Sequence, residues 1–366
     1  MVLPPLPMSP VEVHFETKGG LGLIRLDRPR ALNALSQDMC QAIDRTLAIW
    51  AKDDGVRAVL IRGEGGRAFC AGGDIRAVHD DGIAARAGES RGARGREFFR
   101  DEYRMNRRIR IFPKPYVALM DGITMGGGVG LSIHGSRRVA TERTLLAMPE
   151  TGIGLFPDVG TSYVLPRLPA HVGLYLALTG GRLEAGDLVA FGIATHAVSS
   201  AALPRLTEEL ILAADDPDVS ASIDRVLAGH AMAPGPRKLS RHRTCIERCF
   251  GCDRVEDILA ALDENGSAFA TNAAAAMRAA SPTSLKITRA EMRRGLDLDF
   301  EECLGMEYRL AQAVLAGVDF YEGVRAQLID KDRNPRWRPD TLAAVDDRSI
   351  EAFFLPPADG DLTFVD

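Results

Sequence analysis

Met120-Asp121-Gly122-Ile123-Thr124-Met125-Gly126-Gly127-Gly128-Val129-Gly130-Leu131 places three consecutive glycines after an apolar run, Tyr116 to Met120, and before a segment able to be helical. Glycines at the end of a strand let a ligand approach the backbone, because no Cβ stands in the way. A helix beginning at the triplet would offer free N–H groups and a dipole to negative charge. Two acids follow, Glu150 in Met148-Pro149-Glu150 and Asp158 in Phe156-Pro157-Asp158, each beside a proline that stiffens its loop. Backbone donors near carboxylates suit acyl chemistry that passes through an oxyanion.

A second glycine-rich loop precedes this one. Arg57 to Arg62 reads as a buried strand, and Gly63-Glu64-Gly65-Gly66-Arg67-Ala68-Phe69-Cys70-Ala71-Gly72-Gly73-Asp74 follows it. Neither loop continues into Gly-Lys-Ser/Thr, so neither is a phosphate-cradling P-loop, and the triplet lacks dinucleotide spacing. Two loops that each expose backbone N–H groups are what an oxyanion hole requires.

Around these loops, Val11–Glu16 and Leu21–Leu26 predict a hairpin across Gly19-Gly20, and Ser36 predicts the cap of a helix running to Trp50. The small, arginine-rich stretch Gly82 to Arg96 predicts a mobile surface segment leading into a helix through Arg110. Helices are expected over Pro169–Gly180 and Ala185–Gly192, then a strand over Thr195–Val198. This alternation indicates an α/β domain over residues 10–200. Beyond it, 3.6-residue periodicity at Leu206–Ala214, Val255–Leu262, Ser267–Ala280 and Phe300–Leu315 predicts a helical region over 201–345, with a tail over 346–366.

Composition narrows the function. A net charge of −5 argues against nucleic acid as a partner, since phosphate binding needs clustered positive charge. No apolar run reaches the roughly 18 residues of a membrane span. Met1 to Pro7 has no charged start and no continuous apolar core, so no secretory signal or presequence is read there. Six cysteines without a signal suggest free thiols and a cytoplasmic location. Cys245, Cys249 and Cys252 have a spacing that could hold a cluster iron. On one helix face, three buried thiols are the simpler reading, and no metal is expected. Cys70 has no histidine placed beside it and reads as a small apolar filler.

The order Ala68-Phe69-Cys70-Ala71-Gly72-Gly73-Asp74, then Asp121-Gly122 to Gly130, then Met148-Pro149-Glu150 resembles the crotonase (enoyl-CoA hydratase/isomerase) superfamily. Gly122 to Gly130, Met148 to Gly160 and Ser281-Pro282-Thr283-Ser284-Leu285-Lys286 resemble its 3-hydroxyisobutyryl-CoA hydrolase branch. Met306 to Leu310 and Leu328 to Asp332 add to this likeness, which covers about residues 10 to 340. The resemblance implies a crotonase-like (ClpP/crotonase) spiral of ββα units with a helical C-terminal region. It also implies an acyl-CoA substrate, no separate cofactor, and a homo-oligomer such as a trimer or hexamer.

It maps the oxyanion donors to Ala71 and Gly127. Gly72, Gly73, Asp74 and Gly126 would line the substrate, with Asp74 also read as a helix cap or loop-shaping side chain. Glu102, in Phe98-Phe99-Arg100-Asp101-Glu102-Tyr103, would be a substrate contact. Arg28, Arg30 and Lys331 are candidates for the CoA phosphates. Hydratases of the superfamily carry a glutamate where this chain has Gly130, whereas Glu150 and Asp158 match the hydrolases. Thioester hydrolysis in valine breakdown, with Glu150 as nucleophile or general base, is therefore the expected activity. A hydratase or isomerase using Glu150 alone, and a noncatalytic CoA binder, stand as alternatives.

Overall fold

The computed structural model describes residues 12–364. The readings of Met1 to Pro7 and of Val11 fall outside these residues, as does the start of the expected domain at residue 10. Among the described residues nine strands form two sheets. The larger has the order β1 (Val13–Lys18), β2 (Leu21–Leu26), β3 (Ala58–Gly63), β5 (Tyr116–Met120), β7 (Arg137–Ala140) and β9 (His196–Ala197). Only β1 and β2 pair antiparallel, as the Gly19-Gly20 turn predicts; every later pair is parallel. The smaller sheet is β4 (Ala68–Cys70), β6 (Ile123–Met125) and β8 (Leu145–Ala147), also parallel.

Each turn of chain gives one strand to the large sheet and the next to the small one, which is the expected spiral. β5, and β3 from Ala58 to Ile61, are apolar because both faces are covered; Arg62 comes at the half-buried end of β3. Ala58, Leu60, Val117 and Leu119 point one way, onto Leu206, Leu210, Ile223 and Leu227 of the helices Leu203–Ala213 and Val219–Gly229. Val59, Ile61, Ala118 and Met120 point the other way, into the main core with Met39, Ile43 and Leu47 of α1 (Gln37–Lys52). A period of two decides which core each residue joins.

The stretch Gly82 to Arg96 departs from expectation. α2 (Ile75–Arg86) runs through Gly82, and α3 begins at Ala93 and ends at Arg110, so only residues 87–92 connect them. Asp74 caps α2 through the Ala77 N–H, and Gly82 sits where a Cβ would lie 2.4 Å from the Tyr321 hydroxyl. The glycine marks close helix packing there. Three further boundaries are shorter than predicted. Pro169–His171 is a 3₁₀ turn with left-handed Ala170 and His171, and the helix spans only Val172–Thr179. The last strand keeps two residues, His196–Ala197. The helix Arg243–Phe250 stops before Cys252, so the three thiols do not share one helix face, and Cys245 and Cys252 are half-buried.

Beyond residue 200 the described residues form helices and turns, with one isolated bridge, Val198 to Ala231. These helices serve two places. One pair covers the back of the large sheet. The helices Pro282–Gly295 and Phe300–Ala316 close over the other side, where α3 and α4 (Gly127–Ile133) meet.

Candidate active site

The glycine triplet forms the turn from β6 into α4. Gly126 has φ 48° and ψ −121°, a conformation that side chains disfavour, and α4 starts at Gly127. A Cβ at Gly128 would lie 2.1 Å from the Cys70 carbonyl oxygen, so the helix packs directly on the other glycine loop. A Cβ at Gly127 would fall 3.3 Å from the Gly72 carbonyl carbon. The two loops thus face each other, as the oxyanion reading requires.

The donor from the first loop is not Ala71. Its N–H is already bound to the Leu32 carbonyl at 3.0 Å. Gly72 O and the Asp74 N–H both face Leu35, in a parallel bridge centred on Gly73. Strand geometry turns the Gly73 N–H the opposite way. Among the described residues the N–H groups of Gly72, Gly73 and Gly127 have no acceptor. A sequence resemblance maps positions, but it does not show which amide its neighbour has already taken.

The carboxyls converge on the same glycines. Glu102 Oε1 would be 2.4 Å from a Cβ on Gly127, and Glu150 Oε1 3.0 Å from a Cβ on Gly126. Glu102 is only 2% exposed, Glu150 5% and Asp158 4%. Glu102 comes from the inner face of α3, Glu150 opens a 3₁₀ turn after β8, and Asp158 follows in an irregular loop. Glu102 Oε1 and Glu150 Oε2 have no protein partner. Asp158 Oδ2 accepts from the Tyr103 hydroxyl at 2.8 Å.

Burial dominates the electrostatics. It raises Glu150 and Glu102 well above the usual carboxylate range, and Asp158 adds to both by repulsion. Burial pushes Asp158 up to about 7, against a lowering bond from Tyr103. Removing that bond leaves burial less opposed. Tyr103→Phe is therefore expected to move the neutral-pH ionisation seen in kcat upward, by roughly half a unit or more. An unmoved pH profile would show that Asp158 is not the titrating group.

Gly130 has a structural reason. A Cβ there would lie 2.6 Å from Asn106 Nδ2 and 2.7 Å from Val159 Cβ. The residue after Asp158 fills the space that a second glutamate would need. Gly130→Ala is expected to destabilise the fold by about 1–3 kcal/mol, by overpacking, in chemical denaturation. Its kcat should also fall, because Val159 adjoins Asp158.

Other expected site residues lie apart from this chemistry. Asp74 caps α2 and binds Arg28 at 3.0 Å; Arg28 also meets Glu12 and the Ala34 carbonyl. Arg28 is thus held in a structural network, while Arg30 and Lys331 are exposed. Cys70 is fully buried and its thiol is pushed up to about 12, chiefly by burial, which removes it as a nucleophile. Among the described residues no His, Cys, Asp and Glu group could hold a metal ion.

The sequence did not single out Tyr103, which donates to Asp158, nor two fully buried acids, Glu291 on the helix Pro282–Gly295 and Glu307 on the helix Phe300–Ala316. Tyr103 adjoins Glu102, and Glu307 lies inside a quoted motif, so position alone could have flagged both. Nothing in the sequence distinguished Glu291 from a solvated helix acid.

Two facing glycine loops with convergent buried acids define an acyl-CoA enzyme of the crotonase fold. The chain belongs to the enoyl-CoA hydratase/isomerase family, whose model matches residues 21–354. It is 48% identical over 354 residues to a Danio rerio protein named 3-hydroxyisobutyryl-CoA hydrolase, mitochondrial, covering 96% of this chain and 91% of that one. The Homo sapiens protein of the same name is 46% identical over 358 residues, with coverages of 96% and 91%. Among solved structures, a carnitinyl-CoA dehydratase from Mycobacterium thermoresistibile matches with a TM-score of 0.89 and 42% identity, covering 96% of this chain and 98% of that one. An enoyl-CoA hydratase from Rhodobacter sphaeroides 2.4.1 matches with a TM-score of 0.87 and 39% identity, covering 97% and 100%.

Proposed function

We propose that this chain hydrolyses the thioester of 3-hydroxyisobutyryl-CoA, or of a similarly short β-hydroxyacyl-CoA, to the free acid and CoA. The relatives' names divide between hydrolase and hydratase or dehydratase, and Gly130 favours the first. Adding water across a C=C bond with two glutamates needs a side chain at 130, and Asn106 and Val159 occupy that space. This single observation carries the choice of reaction.

The thioester oxygen lies between the Gly73 and Gly127 N–H groups, where the dipole of α4 adds to the stabilisation of developing charge. Glu150 attacks the carbonyl carbon to form a mixed anhydride and release the CoA thiolate, or as general base it activates water. Asp158 binds the substrate hydroxyl or manages proton transfer to and from water; where Glu150 is the nucleophile, Asp158 takes a proton of the water that opens the anhydride. Glu102, beside Gly127, contacts the acyl group. No cofactor enters this reading, since CoA arrives as part of the substrate. Assembly into trimers or hexamers belongs to the same reading and is checked by light scattering. Six unbridged thiols support a reducing compartment, the cytoplasm by the sequence reading, while the vertebrate relatives are named mitochondrial.

A panel of acyl-CoAs followed by free-thiol release tests the proposal. Short β-hydroxyacyl thioesters are expected to give the highest kcat/KM. Thiol release absent from the whole panel would overturn it.

A further inference from the structure

Behind Asp158 lie two more carboxyls that the reaction as described does not use. Glu307, from the helix Phe300–Ala316, is fully buried; its Oε2 accepts from the Gly160 N–H at 2.7 Å. Its Oε1 accepts from the Ser162 N–H at 3.1 Å and the Ser162 hydroxyl at 2.5 Å. These donors belong to the turn that carries Asp158, where Val159 is held left-handed at φ 57°. His134 Nε2 closes the other side of that turn on the Val159 carbonyl at 2.7 Å.

Glu291, from the helix Pro282–Gly295, is fully buried, and neither of its oxygens has a protein partner. Thr288 Oγ1, one turn earlier on the same face, is also buried without one. One turn later, a Cβ on Gly295 would lie 2.0 Å from the Ser162 carbonyl oxygen, which places this helix face against the same turn. Buried polar atoms without protein partners are met by internal water when the site is polar.

We propose that Glu307 and Glu291 form a proton relay, completed by internal water, that takes the proton of each turnover from Asp158 and passes it away from the active site. Both act through Asp158 and are positioning residues. The proposal rests on the hydrolase reading. Thioester plus water gives a carboxylate, a thiol and one net proton at neutral pH. In the anhydride route the CoA thiolate leaves as Glu150 is acylated and takes up one proton. When water then opens the anhydride, one of its protons reaches Asp158 as the new C–O bond forms, and the other leaves with the product acid, offsetting the one taken up by sulfur. Asp158 must lose that proton before the next turnover, and it is buried.

The neighbours of the relay are acidic. Glu291 faces Glu307, Asp158 and Glu150, and Glu307 faces Asp158 and Cys303. Glu102 and Tyr103 approach from α3. Of the basic groups here, His134 is engaged by the Val159 carbonyl and lowered to about 4 chiefly by burial, and Arg167 is held by the Tyr163, Gly295, Leu296 and Leu298 carbonyls. Burial above all pushes both Glu307 and Asp158 up, to about 8 and about 7, which brings both carboxyls into the range where they exchange protons near neutral pH. Burial likewise raises Glu291.

Glu291→Gln tests the relay, because glutamine copies the shape and neutrality of a protonated acid but does not carry a proton onward. The expected result is a kcat lower by about tenfold, below the hundredfold or more of a direct general acid. KM should stay within twofold, and Glu291→Asp should recover most of the rate. Folding should not suffer: an acid held protonated above its ordinary 4.5 stabilises the fold less as pH rises, a loss the amide does not share. A kcat within twofold of wild type would overturn the relay. A proton inventory of wild-type kcat in H₂O/D₂O mixtures gives a second test that needs no variant. A bowed plot supports several protons in flight, and a straight one overturns them. Glu150→Gln and Asp158→Asn separate the two readings. If they lose thiol release while Glu291→Gln keeps it, the relay alone fails; if they keep it, the underlying site reading fails.

Discussion

Glu150→Gln is expected to lower CoA release by about 10³-fold or more, with KM nearly unchanged. A carboxylate acting as nucleophile has no substitute once it is an amide, and even a general base supplies about 10²–10⁴-fold. Gly126 holds its Cα beside Glu150 Oε1, so the variant's amide fills the same space and the fold is retained. Because burial raises Glu150 well above its ordinary value, the variant also removes a group whose ionised form the fold disfavours. Stability at neutral pH should therefore not fall. The surviving rate measures what the two backbone donors contribute alone. Two single-turnover measurements separate the roles of Glu150: ¹⁸O from labelled water in the Glu150 carboxyl requires an anhydride opened at the Glu150 carbonyl, and borohydride reduction of an acylated Glu150 detects an anhydride opened at the acyl carbon; neither signal supports the general base.

Asp158→Asn is expected to lower kcat by about 10²-fold. Asp158 works as a base, so activity rises as pH increases through about 7 in the wild type, and this limb should be lost in the variant. The direction follows from the chemistry: the ionised form accepts the proton of water, and burial delays ionisation to near neutrality. Tyr103 would still donate to the amide oxygen of the asparagine, keeping the side chain in place. A lowered rate with an unchanged pH profile would assign that limb to Glu150.

Much of the fold was legible because its signals are local. The triplet at Gly126 to Gly128 marks a strand-to-helix turn, the apolar β3 and β5 mark strands buried on both faces, and Ser36 caps α1 through the Met39 N–H at 3.3 Å. Gly82 was misread because a glycine in an arginine-rich stretch resembles a loop, and only Tyr321, far along the chain, shows why it sits inside a helix. The same limit applies to the site. Glu150 and Asp158 stand in recognisable loops, but the engagement of Ala71 by Leu32 is a long-range hydrogen bond that no spacing reveals. Glu102 and Glu291 look like ordinary helix acids until the packing of α3 and of Pro282–Gly295 places them at 2% and 0% exposure. The absence of a side chain at Gly130 was visible in sequence; its cause, the bulk of Val159 and Asn106, was not.

The central claim is that this site breaks a thioester and does not hydrate a double bond. One preparation of the wild-type protein, given 3-hydroxyisobutyryl-CoA and a short 2-enoyl-CoA in parallel, measures both activities at once through free thiol and loss of the C=C bond. The account predicts rapid thiol release from the first and negligible hydration of the second. Rapid hydration with no thiol released from either substrate would contradict it.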